Sequence, residues 1–338
     1  RARAVYALVR FTRWRMVAEK NEGTGMKLRV LVLMLLFPIL AHAESSALII
    51  SGAPGDDEHA KKYTAWTEST RLILTAEMGF APNRVIVLSN EKTTQADIKD
   101  AFAKLKDQLK PADSFFLFLI GHGSYDGLEY KFNNVGPDLT GTDFSKLLST
   151  LSASRIVVVN SSSNSGGATD AMAGKNRMIV SATKTGFEGN DTVFYEYFLD
   201  GLKQSAADEN KDHKISVWEA FKFAVDGVER FYKDAGRIAT EHPQISDNGS
   251  PMTGVVPQAP VMANLTTFNV DRPVTVADAK LQALLDEQKQ IQQKIETLQI
   301  NKASMLPEDF NKQIEDLILQ LALKTQQVEE LQKKTPAK

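Results

Sequence analysis

The chain has 338 residues, a formal net charge of −2, 43% apolar residues and 24% charged residues, which is typical of a soluble globular protein. This charge and the lack of a basic stripe argue against a nucleic-acid partner. The chain contains no cysteine, so disulfides are excluded and its stability must come from the size of its core. The length suits one large domain and an appendage.

Residues 26–43 have the pattern of a bacterial-type secretory signal peptide. Two basic residues precede an apolar run that ends in Ala41-His42-Ala43, an A-x-A cleavage site. The run is too short for a stable membrane span, so we expect none after its removal. We interpret residues 1–25 as an upstream translated segment. The first 43 residues hold eight Lys or Arg and two Asp or Glu, so the chain from Glu44 carries a net charge of −8. This predicts an acidic protein that is periplasmic or secreted.

Apolar runs alternate with helical periods over residues 44–245. The predicted strands are 47–51, 84–88, 114–120, 155–160 and 178–181, and the predicted helices are 58–78, 94–109, 143–151, 192–204 and 216–232. Such alternation predicts an α/β domain with a mostly parallel sheet and helices on both faces. The acidic run Asp56-Asp57-Glu58 follows the first strand and could attract basic substrates, but we favour a solvated helix start.

Two of these strands end in polar clusters. Residues 115–127 read FFLFLIGHGSYDG and place His122 between two glycines, and residues 156–167 read IVVVNSSSNSGG. The carboxyl ends of neighbouring parallel strands deliver catalytic residues to one edge of a sheet. No G-x-S-x-G run is present, which argues against an α/β-hydrolase.

This pair of segments resembles the legumain–caspase group of cysteine peptidases, in which one strand ends in His-Gly and the next ends in a nucleophilic cysteine. Ser163 stands in the cysteine position, and the run 240–244, TEHPQ, adds to the likeness. The resemblance implies a caspase/legumain-like fold and a peptide or protein as substrate or ligand. It further implies His122 as general base and the Gly123 and Ser163 N–H groups as oxyanion donors.

The replacement of cysteine by serine puts activity in doubt. A thiol is partly ionised at neutral pH, whereas a hydroxyl needs a base in direct hydrogen-bond contact. The sequence also offers no evident third residue that would orient His122. We therefore favour a catalytically impaired peptide-binding protein, a pseudopeptidase, over an active endopeptidase that uses Ser163 and His122.

Residues 208–219, DENKDHKISVWE, have the spacing of an EF-hand calcium loop. The predicted Ca²⁺ ligands are Asp208, Asn210, Asp212, the Lys214 carbonyl, Ser216 and Glu219. His213 stands where the loop requires a sharp turn and usually has glycine. The alternative is a helix connection that binds no ion.

The C-terminal part changes composition twice. Residues 246–278 are rich in Gly, Pro, Ser, Thr and Asn, which predicts a linker. Residues 279–334 hold two stretches with apolar residues spaced by three and four, interrupted at 301–307. Either a helical hairpin or an oligomerising coiled coil fits this pattern. We favour the hairpin, with pairing to a second copy as a homo-oligomer left open.

Overall fold

A computed structural model of the chain describes residues 43–250, 259–270, 276 and 278–334. The predicted upstream segment 1–25, and all of the predicted signal peptide 26–43 except its last residue, lie outside the described residues. Within the described residues, no helix combines the length and apolarity that a membrane crossing requires.

The apolar runs form the central sheet. The nine strands of the described residues are β1 Ser45–Ser51, β2 Val85–Leu88, β3 Ser114–Ile120, β4 Gly123–Tyr125, β5 Tyr130–Phe132, β6 Leu139–Thr140, β7 Arg155–Asn160, β8 Arg177–Ser181 and β9 Gln244–Asp247. The main sheet has the order β2-β1-β3-β7-β8-β9, and β4, β5 and β6 form a small antiparallel sheet. In the main sheet every pair is parallel except β8 with β9. The predicted α/β class with a mostly parallel sheet is therefore confirmed.

Helices cover both faces of this sheet. They are α1 Asp57–Leu72, α2 Gln95–Gln108, α3 Gly141–Leu148, α4 Thr169–Met172, α5 Phe194–Lys203, α6 Val217–Asp234, α7 Val261–Leu265, α8 Ala279–Ile300 and α9 Pro307–Lys334. A short π-helical turn, Ile73–Glu77, extends α1. Several helix starts are set by the sequence: Asp56 caps α1, and α2, α3 and α6 begin with capping boxes at Thr94, Thr140 and Ser216.

The core consists of two layers because successive residues of a strand point to opposite faces. On β3, Phe116 and Phe118 pack with residues of α1, α5 and α6, whereas Phe115 and Leu117 pack with residues of α2 and α3. All four of these side chains are fully buried. Such burial on both faces explains why the strands are continuous apolar runs.

The segment predicted as a linker, 246–278, contributes to this core. Its described part includes the end of β9 and the short helix α7, and Met262 and Phe268 are buried. The Phe268 N–H donates to the Ile215 carbonyl at 2.9 Å. The prediction of a plain linker missed this because a five-residue helix carries no measurable period and the Pro, Gly and Thr content dominated the pattern.

Helices α8 and α9 pack against each other as a hairpin. Gln288 on α8 donates to Thr325 on α9 at 2.9 Å, and Lys324 pairs with Glu287 at 2.5 Å. Arg155 at the start of β7 pairs with Glu296 at 2.5 Å, which ties α8 to the main domain. The hairpin thus rests on the domain, as the favoured interpretation expected.

Candidate functional site

The candidate site lies at the carboxyl edge of the main sheet. Strands β3 and β7 are neighbours in parallel register, so the segments that follow them emerge side by side. This brings His122, Gly123 and Ser163 to one place. The loop after β1, which leads into α1, adjoins them because β1 is the other neighbour of β3. The edge therefore collects residues from separate parts of the chain.

The Ser163 hydroxyl is bonded to the backbone of Gly123. It accepts from the Gly123 N–H at 3.2 Å and donates to the Gly123 carbonyl at 3.1 Å. Among the described residues, no hydrogen bond joins Ser163 to His122. The hydroxyl is thus held by the same N–H that the resemblance assigns to the oxyanion, and it is not in contact with the proposed base.

Gly123 is needed here for a close approach. A Cβ at this position would lie 2.4 Å from the Ser163 carbonyl oxygen and 2.5 Å from the Tyr130 ring, and these are distances that real Cβ atoms do not show. The segments after β3 and β7 can therefore meet only when this residue has no side chain.

We expect Gly123→Ala to lower the free energy of unfolding by about 1–3 kcal/mol, because the added methyl group forces the two segments apart. Urea unfolding followed by circular dichroism measures this change. Gly141→Ala is the matched control, since a Cβ there would meet its nearest neighbour at an ordinary 3.4 Å. Equal stability of the two variants would contradict the close approach at Gly123.

His122 has a polar neighbour on each side of its ring. Its Nε2 lies 3.2 Å from the Pro54 carbonyl oxygen, and its Nδ1 lies 3.6 Å from Asp191 Oδ1. A carbonyl can only accept, so Nε2 carries the proton and donates it to Pro54. In the neutral imidazole, Nδ1 then holds the free lone pair. The Tyr63 ring meets the His122 ring edge-on at 5.5 Å, which further fixes the ring plane.

A second histidine, His59, stands beside His122 with 4.6 Å between ring centroids. Its Nε2 lies 2.7 Å from Asp191 Oδ2 and its Nδ1 lies 2.7 Å from Asp56 Oδ2. The hydrogen bond with Asp191, and then that with Asp56, raises the pKa of His59 above its ordinary value, although burial opposes the rise. The Asp56 carboxylate also accepts the Glu58 and His59 N–H groups, and this contact with His59 lowers the pKa of Asp56.

The cleft between these residues is nearly closed. The cavity lined by His122, Ser163 and Trp66 has a volume of about 10 Å³, which is at the lower limit for a single water molecule. The Lys62 ammonium lies 4.6 Å from the centre of the Trp66 ring, and both residues line the cavity. A peptide would have to displace this pair, so the cleft as it stands does not accommodate an extended chain.

Three functional candidates of this edge were missed from the sequence: His59, Asp191 and the Pro54 carbonyl. The acidic run before α1 was interpreted as a solvated helix start, and Asp56 does cap that helix. The available signal was the spacing of Asp56 and His59, which places both on the first turn of one helix. Asp191 carried no comparable signal because it lies in the loop before α5, far along the chain.

Glu241, within the run TEHPQ, supports the segment that carries Asp191. Its side chain is 1% exposed and accepts the Val193 N–H at 2.8 Å and the Phe194 N–H at 3.2 Å. These N–H groups begin α5, so Glu241 fixes where the loop containing Asp191 ends. Burial raises the pKa of Glu241 above its ordinary value, in spite of these hydrogen bonds.

This raised pKa predicts a pH-dependent stability. The native state keeps the Glu241 proton at pH values where the unfolded chain has lost it, so the free energy of unfolding should fall as pH rises from the unfolded to the folded pKa, and then level off. Glu241→Gln should lack this decline. Urea unfolding of both proteins from about pH 4 to about pH 7 isolates the effect as a difference. The prediction would be contradicted if the free energy of unfolding of the parent, minus that of Glu241→Gln, rose with pH.

The predicted calcium loop, residues 208–219, lies between α5 and α6 and includes the first residues of α6. His213 has a φ of 64°, the left-handed conformation that the sharp turn requires. Asp208 accepts the Asp212 N–H at 3.1 Å and the His213 N–H at 2.9 Å, and Asn210 accepts the Asp212 N–H at 2.8 Å. Glu219 forms the capping box of α6 with Ser216, so its carboxylate is held at the end of the loop. Lys214, whose carbonyl is another predicted ligand, is the residue after His213.

No protein-family model and no curated protein matches the chain. Among solved structures, protein GSU0716 of Geobacter sulfurreducens is similar with a TM-score of 0.46 and 18% identity, over 68% of this chain and 100% of that one. Caspase-1 of Spodoptera frugiperda has a TM-score of 0.41 and 11% identity, over 62% and 90%. The Drosophila initiator caspase Dronc has a TM-score of 0.39 and 12% identity, over 61% and 80%. Two of these three neighbours are caspases.

Proposed function

We propose that this chain is an exported, catalytically impaired homologue of legumain/caspase-type peptidases that binds peptides at the edge formed by His122, Gly123 and Ser163. The observation that carries the proposal is the bonding of the Ser163 hydroxyl. A serine nucleophile needs its base within hydrogen-bond reach. This hydroxyl instead donates its proton to the Gly123 carbonyl and accepts the Gly123 N–H.

The contacts of His122 and of the Gly123 N–H also favour impaired catalysis. His122 directs its Nε2–H to Pro54, and its Nδ1 faces Asp191 rather than Ser163. The Gly123 N–H, which would stabilise an oxyanion, is already bonded to the hydroxyl. Catalysis by Ser163 would require both hydrogen bonds of the hydroxyl to break and a new contact with His122 to form.

The charge of the edge supports a basic peptide as the ligand. Asp191 lines the cleft together with Lys62, and Asp56 adjoins it through His59. A peptide with Lys or Arg side chains would be attracted by this excess of carboxylates. Displacement of Lys62 from Trp66 would open the space for its backbone.

The test is an incubation of the full chain with a diverse peptide mixture, analysed by mass spectrometry for both capture and cleavage. We expect retained peptides enriched in basic residues and no new cleavage products. Trp66 reports on the same event, since its fluorescence should change on binding and Trp66→Phe should remove the change. Cleavage that disappears in Ser163→Ala would instead establish the alternative, an active endopeptidase using Ser163 and His122.

We further propose that the loop 208–219 binds Ca²⁺. The favouring observation is the left-handed backbone of His213, which supplies the turn without glycine. A calcium titration of the full chain by calorimetry tests this, with Asp208→Asn and Asp212→Asn together expected to abolish binding. Glu241→Gln serves as a control outside the loop. Heat of binding that persists in the double variant would refute the site.

The hairpin offers a surface for a second copy of the chain. Ile318, Leu319 and Leu323 on α9 are each more than half exposed. We propose homo-oligomerisation through this face. Light scattering on the full chain should show an oligomer that Leu319→Glu with Leu323→Glu converts to a monomer. A monomeric parent would rule it out.

A further inference from the structure

Three side chains that bear metal-ligand atoms converge at the rim of the cleft. One ligand atom each of His59, His122 and Asp191 lies within 4.8 Å of the other two. Within the described parts of the chain, His59, His122 and Asp191 are the three residues of the types His, Cys, Asp or Glu whose ligand atoms come this close together. We propose that these residues bind a divalent transition-metal ion of the Zn²⁺ type. This goes beyond the proposed peptide binding and does not rest on it.

The two histidines are oriented as metal ligands. In metal sites, the ring nitrogen that does not bind the ion donates to a carboxylate or a backbone carbonyl, which fixes the tautomer. His59 has this arrangement, with Nδ1 2.7 Å from Asp56 Oδ2 and Nε2 directed to Asp191. His122 has it as well, with Nε2 on the Pro54 carbonyl and Nδ1 directed to Asp191. Each ring thus points its remaining nitrogen at the same carboxylate.

The donor set selects the class of ion. Two imidazole nitrogens and one carboxylate suit Zn²⁺ and its neighbours, whereas Ca²⁺ and Mg²⁺ prefer oxygen ligands. Three protein ligands would leave a fourth position for water or a ligand atom. The Asp191 carboxylate contacts both rings, at 2.7 Å from His59 Nε2 and 3.6 Å from His122 Nδ1. Because this side chain is 53% exposed, it can turn and make room for an ion between the three ligand atoms.

Metal binding would change what His122 can do. Its Nδ1 holds the lone pair in the neutral ring, and the same nitrogen would bind the ion. A bound ion and a His122 that accepts a proton at Nδ1 therefore exclude each other. A bound metal ion would therefore prevent His122 from acting as a base.

The test uses the full chain after removal of bound metal with a chelator, in excess Ca²⁺ so that the loop 208–219 is saturated. Co²⁺ is the probe, because its visible absorption reports ligand geometry, and Zn²⁺ should displace it. We expect one ion per chain in the parent. His59→Gln and Asp191→Asn should each weaken binding by more than about tenfold, and Asp56→Asn, which retains the helix cap, by about tenfold or more.

The matched control is His242→Gln. His242 also has a carboxylate partner, Glu188 at 2.8 Å, but it stands outside the cluster, so its loss should leave the titration unchanged. Circular dichroism would verify that each variant is folded, and the exposed Asp191 provides a variant that should not perturb folding. A parent that binds no Co²⁺ or Zn²⁺ overturns the proposal. Binding that is equal in His59→Gln, Asp191→Asn and the parent overturns it too.

Discussion

A Ser163→Cys variant is expected to cleave peptides at a rate on the order of 100-fold or more above the parent chain. A thiol with a pKa near 8.5 is a few per cent ionised at neutral pH, whereas a serine hydroxyl is not. The thiolate is itself the nucleophile, so it does not require the direct contact with His122 that Ser163 lacks. Mass spectrometry of a peptide mixture incubated with parent and variant measures the gain.

The controls for this gain use neighbouring residues. Ser162→Cys introduces a thiol one residue earlier, where the side chain is buried and bonded to Tyr130 and Asn160, so it should stay inactive. Adding His122→Ala to Ser163→Cys should remove most of the new activity, because the leaving amine would then lack a proton donor even though the thiolate forms without His122. Silence of the Cys variant would mean that the edge has lost more than its nucleophile, and the peptidase interpretation would then rest on resemblance alone.

Five of the six strands of the main sheet could be predicted to within two residues at each end, whereas β9 was missed. Ser114–Ile120 and Arg155–Asn160 were predicted with the bounds that the structure has. They are buried on both faces, so each appears as an uninterrupted apolar run between polar turns. By contrast, β5 and β6 have three residues and two residues, and they were missed. Elements this short depend on tertiary contacts and leave no pattern of their own.

The candidate site could be predicted only where it follows such strands. The resemblance pointed to His122, Gly123 and Ser163 within the segments that follow β3 and β7, and the structure places the ends of these two strands side by side. His59 follows β1, which lies next to β3, and Asp191 follows β8, which lies next to β7, so both reach the same edge. The order of strands in a sheet is not written in the local sequence. Hydrogen-bond partners depend on the exact placement of these segments in the folded chain. The bonding of Ser163 to Gly123 therefore had no sequence signal.

Replacing Phe268 by Ala is expected to lower the free energy of unfolding by about 3–5 kcal/mol. Its ring is fully buried, with centroids 5.2 Å from Phe116, 5.8 Å from Phe198 and 6.4 Å from Phe118. These partners lie on β3 and α5, at the centre of one core layer. The substitution would leave a cavity between the sheet and the helices that cover it. Chemical denaturation of the full chain measures the loss.

Phe187→Ala is the matched control for this substitution, because the same side chain is removed from a residue that is 79% exposed. We expect it to change stability by no more than about 1 kcal/mol, chiefly through its contact with Tyr125. If Phe268 lay in a passive linker, the two variants would be equally stable. A large difference between them would instead place the boundary of the folded domain after residue 268, and a truncation at residue 245 should then fail to fold stably.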